Sequence, residues 1–122
     1  MHRFKNLLVW QKAMDLTQAV YEITKSFPSG EQYGLKAQLR RCAVSIPSNI
    51  AEGAGRSSDQ DFKRFLSISN GSINELETQL ILANRLDYLN EQELNELLDI
   101  LTEVQKMNFA LSERLANKKA KP

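Results

Sequence analysis

The 122-residue sequence predicts an all-α fold, an up-down-up-down antiparallel four-helix bundle, from three observations. Apolar residues recur at steps of three and four along nearly the whole chain, and no stretch alternates with period two. Helix-start and helix-stop residues divide that pattern into four segments of comparable length. The links between them are short, which sets consecutive helices side by side and antiparallel. The segments fall at about 7–27, 31–54, 59–86 and 91–117, with a basic tail at 118–122, all in a single domain 1–122. At about 1.5 Å rise per residue such a bundle is roughly 30 to 40 Å long.

The first helix follows Asn6 and lines up Val9, Trp10, Ala13, Leu16, Thr17, Val20, Ile23, Thr24 and Phe27, until Pro28, Ser29 and Gly30 end it. The second sets Leu35, Leu39, Cys42, Ile46 and Ile50 on one face. The third opens at Ser58, whose side chain can cap the first turn, with Asp61 where a capping box usually carries Glu. Its seam of Phe62, Leu66, Ser69, Ile73, Leu76, Leu80 and Ala83 alternates steps of four and three, which suits packing at a shallow angle. Asn90 caps the fourth helix with Glu93 three residues on, and the seam there is Leu94, Leu97, Leu101, Val104, Asn108, Leu111 and Leu115. Asn108 reads as a buried amide that fixes helix register.

Chemistry-bearing residues are few. Cys42 is the one cysteine and His2 the one histidine, placed in a terminus expected to fray. Neither a structural zinc site nor a Glu-x-x-His di-iron site can be assembled from them, and a Ser or Cys nucleophile lacks a base. We therefore expect no metal, no cofactor and no catalytic residue, with Cys42 a small core group. Composition, at 42% apolar and 25% charged, is that of an ordinary soluble globule. No apolar run approaches about 18 residues and the N-terminus lacks a signal peptide's apolar region, so the expected location is cytoplasmic, with no membrane partner.

The stretch SIPSNIAEGAGRSS, residues 45–58, interrupts the rhythm. Pro47 removes the N–H that would bond the Ala43 carbonyl, at about 3 kcal/mol in a regular helix, so a kink is expected there. Ser45, Ser48 and Asn49 are short polar groups able to bond carbonyls so freed. Gly53 and Gly55 are expected to form a left-handed cap. GAGRSS lacks both the spacing and the preceding strand of a phosphate loop. On a helical wheel this helix carries, besides its core face and the polar line Arg41, Ser45, Ser48 and Glu52, a third stripe of Ala37, Val44 and Ala51. Small apolar groups at heptad spacing suit a helix of another subunit, which makes Ala37, Arg41, Val44, Ser48 and Ala51 candidate oligomer-interface residues. Met14, Leu16 and Tyr21 widen the apolar arc of the first helix in the same sense. The alternative is a monomer with scattered surface apolars.

LVWQKAMDL in the first helix, FPSGEQYGLKAQLRRCAVSIPSNIAEGAGR through the second and NGSINELETQL in the third resemble the four-helix-bundle family of intervening-sequence proteins, encoded within insertions in bacterial large-subunit ribosomal RNA genes. The resemblance covers roughly residues 4 to 116. That family is similar in turn to the accessory variability determinants of diversity-generating retroelements, pentameric barrels with a basic surface that bind nucleic acid and a reverse transcriptase. The resemblance implies an up-down bundle assembled as a homopentamer and associated with RNA. Cys42 stands where alanine is usual, and Ser69-Asn70 where a less polar pair is usual.

Net charge is only +1, but its distribution is uneven. In an up-down bundle residues 1–14, 50–66 and 112–122 share one end, and they hold ten basic groups against four acids, a balance of +6. The other end, residues 20–36 and 78–99, holds three against seven, a balance of −4. Aligned subunits would pool their basic ends into a face for phosphate backbones. The candidate nucleic-acid-binding residues are Arg3, Lys5, Lys12, Arg56, Lys63, Arg64, Lys118 and Lys119, on a non-enzymatic RNA-binding scaffold. The alternative function is an adaptor ring that recruits a partner protein through the acidic end or the Arg41–Ser45–Ser48–Glu52 stripe.

Overall fold

The computed structural model describes residues 2–120, with side chains described through Asn117. Four helices account for nearly all of it: α1 (Leu8–Thr24), α2 (Leu35–Ala54), α3 (Asp59–Arg85) and α4 (Glu91–Ala120), with no strand among the described residues. Each helix packs on its successor, α4 closes against α1, and the backbones of neither diagonal pair approach closely, so the arrangement is the four-helix bundle expected. Burial follows the seams. Every one of the seven seam positions in α3 and in α4 is buried, and Val9, Ala13, Leu16 and Val20 of α1 meet Leu39, Cys42, Ile46 and Ile50 of α2 in the same core.

The ends differ from expectation in instructive ways. A short 3₁₀ turn, Phe4–Asn6, precedes α1, and another, Ser29–Glu31, delays the start of α2 to Leu35. Glu31 then caps α2 from outside: its Oε1 accepts from the Leu35 N–H at 2.9 Å, and Tyr88 donates its hydroxyl to Oε2 at 2.9 Å. These two hydrogen bonds, the backbone one first, hold the Glu31 carboxyl below the usual carboxylate range and tie the α1–α2 link to the α3–α4 link. Asn90 and Glu93 form a complete capping box, each backbone N–H donating to the other's side chain at 2.8 Å. The helix that follows runs on to Ala120, past the expected end at 117.

Left-handed backbone occurs where no glycine stands. Asp87 has φ 63°, and beside it the Tyr88 N–H donates to Ala83 O at 2.9 Å and the Asp87 N–H to Asn84 O at 3.0 Å. This is the Schellman pattern, with Asp in the place glycine usually takes. Conversely, no described glycine has positive φ, so Gly53 and Gly55 do not form the left-handed cap expected of them. Gly55 closes α2 in right-handed geometry, φ −85° and ψ −3°, its N–H reaching back to Ala51 O and Glu52 O. Gly53 lies inside the helix, where α3 comes too close for any side chain. A Cβ at this position would stand 2.7 Å from Phe65 Cβ, 2.9 Å from Phe62 Cδ1 and 3.2 Å from Phe62 O.

Pro47 is buried within α2, which remains helical on both sides of it. The Ala43 carbonyl it frees is satisfied by another helix: Thr17 Oγ1 of α1 lies 3.0 Å from Ala43 O and 2.8 Å from Ala13 O, so its one hydrogen is shared between them. The local polar groups serve other carbonyls, Ser45 donating to Cys42 O at 2.6 Å and Asn49 to Ser45 O at 2.8 Å.

Candidate nucleic-acid interface and subunit face

The chain end, the close of α2 and the start of α3 converge. The His2 N–H donates to Ala54 O at 2.9 Å, the His2 ring tilts against Phe62 at 5.0 Å, and His2 Nε2 lies 3.6 Å from Asp59 Oδ1. His2 is thus anchored on the bundle, not frayed. Phe4 packs edge-on against Trp10 at 5.1 Å and holds the first 3₁₀ turn in place, leaving Arg3 and Lys5 exposed beside it. Arg114 of α4 borders the same end, in a groove shared with Asn6, Leu7 and Leu8.

At the α2–α3 corner Arg56 and Arg64 both stack on the Phe65 ring, each guanidinium carbon 4.6 Å from the centroid. Asp61 holds the pair from one side, with Oδ1 2.9 Å from Arg64 Nε and Oδ2 3.8 Å from Arg56 Nε, while Arg56 Nη2 reaches Glu52 at 3.1 Å. Ser58 Oγ accepts from the Asp61 N–H at 3.1 Å, so half of a capping box forms. The Asp61 carboxylate that would complete it goes to the arginines instead. Phe65 lies one position off the α3 seam, and periodicity alone gives it no role.

Of the expected nucleic-acid residues, then, Arg3, Lys5, Arg56, Lys63 and Arg64 share one end. Lys12 turns away to Glu103 of α4 at 3.2 Å. The side chains of Lys118 and Lys119 lie outside the described residues. Among the described residues Arg3, Lys5, Lys63 and Arg114 form no ion pair.

The candidate interface residues divide between two faces. Val44, Ser48 and Ala51 line a shallow groove of about 320 Å³ between α1 and α2, together with Trp10, Met14, Thr17 and Pro47. Met14 is 45% and Val44 40% exposed, large values for apolar side chains with a core next to them. Arg41 faces the other way, into a polar groove between α2 and α3 with Gln38, Cys42, Ser45, Ser72 and Glu75. Ala37 is half-buried on α2.

Cys42 donates to Ser72 O at 3.1 Å from the floor of that polar groove. Burial first, then the Glu75 carboxylate, push its thiol up to about 12. The reactive thiolate is therefore scarce at neutral pH. Cys42 is expected to react with a disulfide reagent at pH 8 at least a hundredfold more slowly in the native protein than in denaturant, as read by absorbance of the released thiol. Among the described residues no cluster of His, Cys, Asp and Glu could hold a metal ion, and no helix is long and apolar enough to cross a membrane.

A family model described as 23S rRNA-intervening sequence protein matches residues 5–110, which take in all or most of each helix. Among solved structures, a crystal structure of a protein with unknown function from the S23 ribosomal protein family of Bacteroides thetaiotaomicron is similar, with a TM-score of 0.77 and 23% identity over 86% of this chain and 98% of that one. At that identity the likeness shows the common fold. No curated protein matches the chain. On the extent of the family match, the chain belongs to the 23S rRNA-intervening sequence protein family.

Proposed function

We propose that the protein is a non-enzymatic homo-oligomer that binds structured RNA through its basic end, contacting backbone and not base edges. One observation carries the reading. At that end Glu52 and Asp61 are held by Arg56 and Arg64 and Asp59 lies beside His2, which leaves the exposed Glu113 against Arg3, Lys5, Lys63 and Arg114, four cations that form no ion pair among the described residues. Four cations left facing water at one end of a rod make a field that a phosphate backbone can neutralise. The apolar α1–α2 groove fits the same reading: were copies to assemble through it into the ring of five implied by the family resemblance, their basic ends would lie side by side.

The test is filter binding of purified protein to structured RNA across a salt series. If each of the four cations neutralises one phosphate, the slope of log affinity against log salt is about −3.6 per subunit, and a threefold rise in salt weakens binding about fiftyfold. Replacing Lys5 and Lys63 by glutamate should weaken binding at every salt concentration. Absence of binding at low salt would overturn the proposal. The adaptor reading, favoured by the polar Arg41–Glu75 groove, predicts instead a protein that co-purifies stoichiometrically and survives nuclease treatment.

A further inference from the structure

We infer that Arg56 and Arg64, stacked on the ring of Phe65, form a built contact for a single phosphodiester of the bound RNA. This rests on the nucleic-acid reading above and gives one part of that surface a specific chemistry. Both guanidinium carbons stand 4.6 Å from one centroid, so they are at most twice that, 9.2 Å, apart. The ring attracts each guanidinium, and the Asp61 carboxylate beside both offsets their mutual repulsion. Asp61 takes the Nε edge of Arg64 and lies beside that of Arg56. Among the described residues, both Nη groups of Arg64 and Nη1 of Arg56 have no partner.

The side chains stay in solvent, 59% exposed for Arg64 and 41% for Arg56. The arrangement therefore presents planar, oriented N–H donors to water, in the fork geometry that matches a phosphate oxygen pair. Its cause lies in the helix packing. Gly53 lets α3 approach until Phe65 stands beside the end of α2, which brings the ring under Arg56 three residues further on. Since Glu52 and Asp61 offset the two guanidinium charges, this contact adds little to the long-range field and acts through directed hydrogen bonds at short range.

That division gives a discriminating test. A diffuse basic field is indifferent to which cation supplies the charge, whereas a lysine can neither lie flat on a ring nor offer a fork. A short fluorescently labelled RNA hairpin would be titrated against the full chain, comparing wild type, the double variant R56K/R64K, F65L, and R85K as control. Thermal melts would confirm that each variant is folded. R56K/R64K and F65L should each weaken binding about tenfold or more at fixed salt, the loss of one hydrogen bond to a charged group, with the salt slope unchanged. R85K, in the last turn of α3 at the acidic end, should bind as wild type does. If R56K/R64K binds as tightly as wild type, the phosphodiester contact is overturned while the basic-end reading stands. If wild type itself fails to bind the hairpin at low salt, both fall together.

Discussion

Gly53→Val lowers the stability of the bundle by about 3 kcal/mol, the upper range for forcing extra carbons into a packed interior. The missing Cβ would meet Phe65 Cβ at 2.7 Å and Phe62 Cδ1 at 2.9 Å, and the third neighbour, Phe62 O at 3.2 Å, is backbone that cannot rotate aside. Relief requires α2 and α3 to separate along their tightest approach, which also unseats Ser69 Oγ from Ile46 O, now 3.0 Å away. Even Gly53→Ala should be destabilising, although alanine is the better helix former by about 1 kcal/mol. Gly71, in the interior of α3 with nothing within 4 Å of its would-be Cβ, supplies the opposite sign. There alanine should stabilise by roughly 0.5 to 1 kcal/mol. Urea denaturation of the three variants measures all of this. A Gly53→Val protein as stable as wild type would mean that the helices do not meet as described.

Asn108→Asp is expected to cost about 3 kcal/mol or more at pH 7, the range for an uncompensated buried charge. Asn108 is 3% exposed, donates its amide to Leu66 O at 2.9 Å, and has no partner for Oδ1 among the described residues. A carboxylate placed there loses the donor and faces the Leu66 carbonyl oxygen, and its other oxygen stands where Oδ1 finds no hydrogen-bond partner among the described residues. Its folded pKa must rise above the unfolded value of about 3.9, because desolvation and the facing carbonyl both disfavour the charged form. A raised carboxyl pKa means the folded state holds the proton more tightly. Stability is thus greatest below the unfolded pKa and is lost as pH rises through the folded one. Asn108→Asp should accordingly approach wild type near pH 4 and fall away toward pH 7. Asn108→Leu, which removes the orphan oxygen together with the donor, should change stability by less than about 1 kcal/mol or raise it. Chemical denaturation at several pH values distinguishes these outcomes, and a pH-independent loss in Asn108→Asp would count against the burial argument.

Much of this fold was legible in the order of its residues, because burial along a helix follows from spacing alone. Both seven-residue seams of α3 and α4, Asn108 and Ser69 included, lie in the core where steps of three and four put them. Gly53 was misread for a physical reason. A glycine near a helix end suggests a cap, and only the facing helix reveals that its purpose is a close approach. Thr17 and Ala43 meet for the same kind of reason, across two helices whose relative rotation no local pattern encodes. Asp87 adopts left-handed backbone without the residue that usually announces it. For the candidate interface, topology was enough to gather Arg3, Lys5, Arg56, Lys63 and Arg64 at one end. It could not say that Lys12 would turn to Glu103, or that Phe65 would pair the two arginines, since charge pairing depends on which faces meet.

Because every helix leans on the next one in the chain, three of the four packing seams join segments that are near neighbours along the polypeptide. Four residues separate α2 from α3, the most intimate pair, so little chain entropy is spent in bringing them together. The seam between α1 and α4 is the exception, spanning nearly the full length of the molecule, and the Lys12–Glu103 pair lies across it. The largest chain-entropy cost of assembling this bundle therefore falls at that edge, where the first helix greets the last.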